Sequence, residues 1–135
     1  MGKTIIEGAP RGKGRPRFVR ATGATYTDAK TKAYESRVRE AYAEQDGTDY
    51  GDAPVSVRIT ACFGIPASYS KAKRADAMAG RIAPSKPDWD NVGKVVCDAL
   101  NGIAYRDDSQ IVDASVHKIF AEAPCVILEI KEVPR

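Results

Sequence analysis

Histidine occurs once in the 135 residues, as His117, and cysteine only three times. Cys62, Cys97 and Cys125 are an odd count, and no pair has the two-to-four-residue spacing of a zinc site. They therefore read as buried, reduced thiols rather than as a disulfide framework. A single imidazole excludes His-rich metal sites and makes any Ser-His-Asp triad depend on His117. Any metal would have to be held by carboxylates, which favours a hard ion such as Mg²⁺ or Mn²⁺. No apolar run approaches the roughly 20 residues of a membrane span, and Met1 to Pro10 lacks the apolar stretch of a signal peptide. The expectation is a cytoplasmic protein with no membrane partner.

Charge of one sign is not in excess overall: 21 Lys+Arg stand against 18 Asp+Glu, for a net +3. The balance hides a partition. Arg11 to Arg39 carry nine bases and two acids, and Glu40 to Asp52 carry five acids and no base. Lys71 to Lys86 hold five bases and one acid, whereas Asp88 to Asp113 hold six acids and two bases. Basic segments of this kind suit a polyanionic partner, although a solvated charged surface would look the same. An acidic cluster beside them is harder to explain without a cation in between.

With 43% apolar and 29% charged residues the chain reads as one soluble domain over 1–135. Thr4 to Glu7 fits a short strand. Gly8 to Gly23, punctuated by glycine and proline, fits a loop. Thr27 offers an N-cap, with Asp28 in the first turn of a helix over 28–45. Val55 to Phe63 alternates apolar and polar residues as a half-buried strand does. Ser70 to Ala79 suggests a short basic helix closed by Gly80. From Asp90, the residues Val92, Val95, Val96, Ala99 and Leu100 make a helical stripe ended by Asn101-Gly102. Gly93 inside it disfavours helix by about 1 kcal/mol relative to Ala, so something must favour a small residue there. Gln110 to Phe120 and Cys125 to Glu132 read as strands joined at Glu122-Ala123-Pro124. The fold class is mixed α/β, a mixed sheet with a C-terminal antiparallel hairpin packed against helices.

Most of the chemistry lies in Lys86-Pro87-Asp88-Trp89-Asp90-Asn91-Val92-Gly93-Lys94. If Asp88 to Asp90 is extended, both carboxylates point to one side and need a cation between them. Lys94 falls one turn later, and Asp107-Asp108 follows the helix at a point where the chain could return toward Asp88. Each residue has a plainer reading: Asp90 as a helix cap, Lys94 and Asp98 as an i,i+4 pair, Asp107-Asp108 as turn residues.

Three motifs come near. An EF-hand is excluded because Val92 and Ala99 fill ligand positions, and a phosphate loop at Gly8 to Lys13 lacks the right spacing and has Gly14 for Ser/Thr. Asp88-x-Asp90-x-Val92 fits the pattern of haloacid-dehalogenase-type phosphatases, but the residues before it are polar and proline-rich rather than an apolar strand.

Gly14-Arg15-Pro16-Arg17-Phe18, Lys86 to Val92 with Lys94, Asp98-Ala99-Leu100-Asn101-Gly102-Ile103 and Asp107-Asp108-Ser109-Gln110-Ile111-Val112 together resemble the RusA-type Holliday-junction resolvases. The resemblance runs from about Gly12 to Lys131. It implies a small mixed α/β homodimer that cuts four-way junction DNA with Mg²⁺, Mn²⁺ being a possible substitute, and with no organic cofactor. Carried over by position, the metal ligands are Asp88, Asp90 and Asp108, with Asp107 the ambiguous neighbour and Lys94 the essential lysine. Trp89 and Val92 stand where the family commonly has aliphatics such as Leu or Ile, and Gly93 occupies a usually larger site. Arg11, Lys13, Arg15 and Arg17, with Lys71, Lys73, Arg74 and Lys86, are the expected contacts to the DNA backbone. Two other readings stay open: a DNA-binding or architectural module without catalysis, and a small phosphatase with Asp88 as nucleophile.

Overall fold

In the computed structural model, residues 2–13, 17–19, 21–26 and 28–134 are described. Four strands form the main sheet: β1 (Gly2–Glu7), β4 (Val55–Gly64), β5 (Ile111–Ala121) and β6 (Cys125–Glu132), in the order β1-β6-β4-β5. A separate two-stranded ribbon pairs β2 (Arg17–Val19) with β3 (Ala24–Tyr26). Three helices complete the fold: α1 (Ala29–Gln45), α2 (Lys71–Met78) and α3 (Trp89–Ala99). The mixed α/β class and the mixed sheet read from the sequence are present.

Helix α1 packs on β1, α3 packs on β5, and the two helices pack on each other, so both cover one face of the sheet. The core between these layers takes Tyr34, Val38 and Tyr42 from α1 and Val92, Val95, Val96 and Ala99 from α3. Val57, Ile59, Val126, Leu128 and Ile130 supply the sheet side. On the opposite sheet face Lys3, Ile5, Arg58 and His117 are exposed.

The expected C-terminal hairpin is not formed. Strand β4 lies between β5 and β6, pairing parallel to the first and antiparallel to the second. Ala121 pairs with Gly64 and Cys125 with Cys62, so residues 122–124 step over the end of β4. Crossing two strand spacings takes roughly 10 Å, within reach of four residue steps at about 3.3 Å each. Burial decides the order: Val55, Val57, Ile59 and Ala61 of β4 are all buried, whereas β5 has no fully buried residue. The most apolar strand takes the centre and the wetter one takes the edge.

Two smaller expectations also change. The 8–23 loop contains the β2–β3 ribbon, whose turn includes Gly23 at φ 71°. Asp28, rather than Thr27, is the N-cap of α1, accepting from the Thr31 amide at 2.9 Å; Thr27 lies outside the described residues. Helix α2 keeps its expected limits, with Ser70 accepting from the Lys73 amide at 3.1 Å and Gly80 at φ 78° beyond its end. Of the thiols, Cys62 is buried, whereas Cys97 and Cys125 are half-buried; all three are free. No described helix is long and apolar enough to cross a membrane.

Candidate functional site

Helix α3 begins at Trp89, with Asp88 as its N-cap and Asp90 in its first turn. The extended Asp88 to Asp90 pair expected from the sequence is therefore replaced by a cap and a first-turn residue. The Val92 amide already bonds to the Asp88 carbonyl at 3.2 Å, which draws Asp90 into the helix. Asp88 makes no side-chain cap bond; its carboxylate takes the exposed Lys86 ammonium at 3.2 Å. The segment ahead of the helix is held from β5, where the Lys118 ammonium donates to the Ser85 and Pro87 carbonyls at 2.7 and 2.9 Å.

Asp107 and Asp108 separate clearly. Asp107 caps a short 3-10 turn (Asp108–Gln110), accepting from the Ser109 amide at 2.9 Å. The Ser109 side chain, followed by that amide, lowers the Asp107 pKa from the ordinary aspartate value. Gln110 holds the whole turn in place. Its oxygen accepts from the Arg106 and Asp107 amides at 2.8 and 3.0 Å, and its nitrogen donates to the Gly51 and Ala53 carbonyls at 2.7 and 2.8 Å. Thus Asp108 is turned toward α3, where its carboxylate lies 4.0 Å from the Lys94 ammonium that also holds Asp98.

Asp90, Lys94 and Asp108 line one open hollow of about 320 Å³ between α3 and β5, with Trp89 at its mouth. Lys94 reaches Asp98 at 3.3 Å and Asp108 at 4.0 Å. Partial burial, followed by the neighbouring Asp98 carboxyl, raises the Asp108 pKa against the opposing pull of Lys94. Two carboxyl groups that share one ammonium mark a place where cationic charge is wanted.

Two members of this network, Asp98 and Lys13, were named from the sequence in other roles. Asp98 is not merely a surface partner of Lys94: its other oxygen lies 3.4 Å from the Lys13 ammonium. Lys13 in turn donates to Glu35 of α1 at 2.7 Å. Burial alone would lower the Lys13 pKa, but Glu35 and Asp98 outweigh it and the net direction is upward. Lys13 is one-fifth exposed, and both its acidic partners less, so its ammonium is held by two carboxylates. An i to i+4 spacing is visible in sequence, but nothing in the sequence brings residue 13 to residues 35 and 98.

The remaining basic residues are dispersed. Arg11, Lys71, Lys73, Arg74 and Lys86 are exposed. Lys73 lies over the Tyr69 ring at 4.1 Å, and Arg74 donates to the Pro66 carbonyl at 3.1 Å. Arg15 lies outside the described residues, as does the side chain of Arg17. Among the described residues, no three acidic, His or Cys side chains converge into a ready-made metal cluster. The carboxylates instead take nearby donors: Asp88 the Lys86 ammonium and Asp90 the Asn91 amide at 3.0 Å. Asp88 follows an irregular segment rather than a strand, so the phosphatase arrangement is not built here.

The family model described as endodeoxyribonuclease RusA matches residues 7–131. The chain is also 36% identical to the "Uncharacterized protein YqaN" of Bacillus subtilis (strain 168), over 97% of this chain and 96% of that protein. The chain belongs to the RusA endodeoxyribonuclease family, and membership implies a nuclease acting on DNA.

Proposed function

We propose that the protein is a divalent-metal-dependent endonuclease that resolves four-way DNA junctions as a homodimer. The observation that carries this reading is the meeting of Asp90, Lys94 and Asp108 at one hollow, with Asp98 tethering Lys94 behind them. The donor set fits a hard cation, since every candidate ligand is a carboxylate oxygen. Asp88, Asp90 and Asp108 would hold Mg²⁺, or Mn²⁺ in its place. A divalent ion bound there supplies Lewis-acid activation of water and neutralises charge at the scissile phosphate.

The chain's own groups do the rest. Lys94 is more than half exposed and tethered by Asp98, so its ammonium stands ready for a phosphate oxygen as negative charge builds up. Arg11, Arg15, Arg17, Lys71, Lys73, Arg74 and Lys86 carry the backbone contacts in this reading; such contacts position DNA without selecting its sequence. Lys13 is left out of that set because two carboxylates already hold its ammonium. A junction is resolved by two symmetric cuts, so two active sites are needed, and a two-fold dimer supplies them.

The test is cleavage of a synthetic four-way junction beside linear duplex, with Mg²⁺ and with chelator. Paired cuts in the junction alone, lost with chelator and reduced at least a hundredfold in Asp90→Asn and Asp108→Asn, are expected. Undiminished cutting by both variants would overturn the site.

A further inference from the structure

Trp89 sits between Asp88 and Asp90 with 64% of its surface exposed. It lines the 320 Å³ hollow together with Val57, Ile59, Ala114 and Val116 as well as Asp90, Lys94 and Asp108, so much of the wall is apolar. Gly93 keeps α3 close to the strand, since a Cβ there would be 3.3 Å from the Val116 methyl. An exposed aromatic next to an apolar recess is costly to leave in water and marks a contact surface.

The rim restricts what can fill the recess. Of the two nearby ammonium groups, Lys94 lines the hollow at 58% side-chain exposure, and Lys86, at 82%, is paired with Asp88 next to Trp89. An apolar occupant that carries anionic groups to either side matches this pattern, and a nucleotide is such a molecule: a flat π face with a phosphate on each side. Nucleobases stack on aromatic side chains whatever their sequence, because every base has a π face. In continuous duplex both faces are covered by neighbouring pairs. A base is available only where stacking is interrupted, as at the centre of a junction.

We propose that Trp89 and the adjoining hollow receive a nucleobase of the DNA strand, unstacked beside the phosphate to be cut. This rests on the nuclease reading above and adds a base-binding subsite to it. The subsite reads an interruption of stacking, and so favours a branched substrate over a linear one without reading sequence.

Trp89 is the sole tryptophan of the chain, so the protein's indole emission reports on this position alone. The experiment titrates wild-type protein with a four-way junction in EDTA, where no strand is cut, following indole emission and the anisotropy of a labelled junction together. Quenching that tracks junction binding and is absent with linear duplex is expected. Trp89→Ala should bind the junction on the order of tenfold more weakly, and Trp89→Phe, which keeps a stacking ring, much less so. Unchanged emission on a bound junction, or equal affinities for wild type and Trp89→Ala, overturns the subsite. Emission that changes with protein concentration in the absence of DNA also overturns it, assigning the surface to a second copy of the chain. Because these measurements need no cleavage, a wild type that quenches but does not cut with Mg²⁺ would refute the nuclease reading and leave the subsite standing.

Discussion

The Lys13 ammonium lies 3.4 Å from the Asp98 carboxylate, bonding the N-terminal loop to the helix that carries Asp90 and Lys94. The same ammonium holds Glu35 of α1 at 2.7 Å, so one side chain ties three parts of the chain together. Asp98 passes the constraint on to Lys94, whose ammonium lies 4.0 Å from Asp108.

Lys13→Met leaves Glu35 and Asp98 largely buried without their cation, and stability should fall by about 2 kcal/mol in urea unfolding. Lys13→Met combined with Glu35→Leu should recover part of that loss, because an apolar pair leaves one fewer unpaired charge. If the single variant is no worse than a change at the exposed Lys3, the ammonium does not brace the site.

Gly12 makes that brace possible. A Cβ on it would stand 2.8 Å from the Pro87 side chain and 3.2 Å from that of Asn91, while the next amide, Lys13, bonds to the Asn91 carbonyl at 3.0 Å. Gly12→Ala should lift the loop from the start of α3 and lower stability by about 1–3 kcal/mol. A variant with unchanged melting temperature would show that the loop does not depend on this close approach.

Asp107 and Asp108 should part in their effects. Asp107→Asn is expected to lower thermal stability slightly and leave cleavage near wild type, since Asp107 caps the turn outside the hollow. Asp108→Asn should abolish cleavage. Its effect on metal-free stability follows from the raised pKa. A carboxyl whose folded pKa lies above its unfolded value favours the fold below the unfolded pKa and loses that contribution as pH rises through the folded one. At neutral pH the ionised group is therefore a liability, and metal-free Asp108→Asn should melt no lower than wild type. A clear drop in its melting temperature would contradict this.

Gly93→Ala tests whether the helix or the contact to β5 dominates. Alanine favours the helix by about 1 kcal/mol, and Val116 lies on an edge strand beside an open hollow, with space to shift a few tenths of an ångström. Stability should therefore stay level or rise by up to about 1 kcal/mol in chemical denaturation. A loss above that size would show that Val116 is held rigidly.

Helix α2 was legible because Ser70 and Gly80 are local signals at its two ends, and β4 because its alternation is uninterrupted. The 17–26 ribbon was not, since glycine and proline around it mask two very short strands. The carboxylates were legible as residues but not as a geometry. Capping by Asp88 and the turn of Asp107 depend on backbone angles that neighbouring segments select.

Local order alone determined the three helices and the main-sheet strands of this protein, the division of its charge into basic and acidic stretches, and the family motif around Asp88, Asp90 and Lys94. Only the tertiary structure decided that β4 separates β5 from β6, because strand order follows from which strand buries its face most completely. Only the tertiary structure gave Lys13 its two carboxylate partners and chose Asp108 over Asp107. Those outcomes rest on contacts between residues as far apart as Lys13 and Asp98, or Gly51 and Gln110, which sequence spacing does not encode.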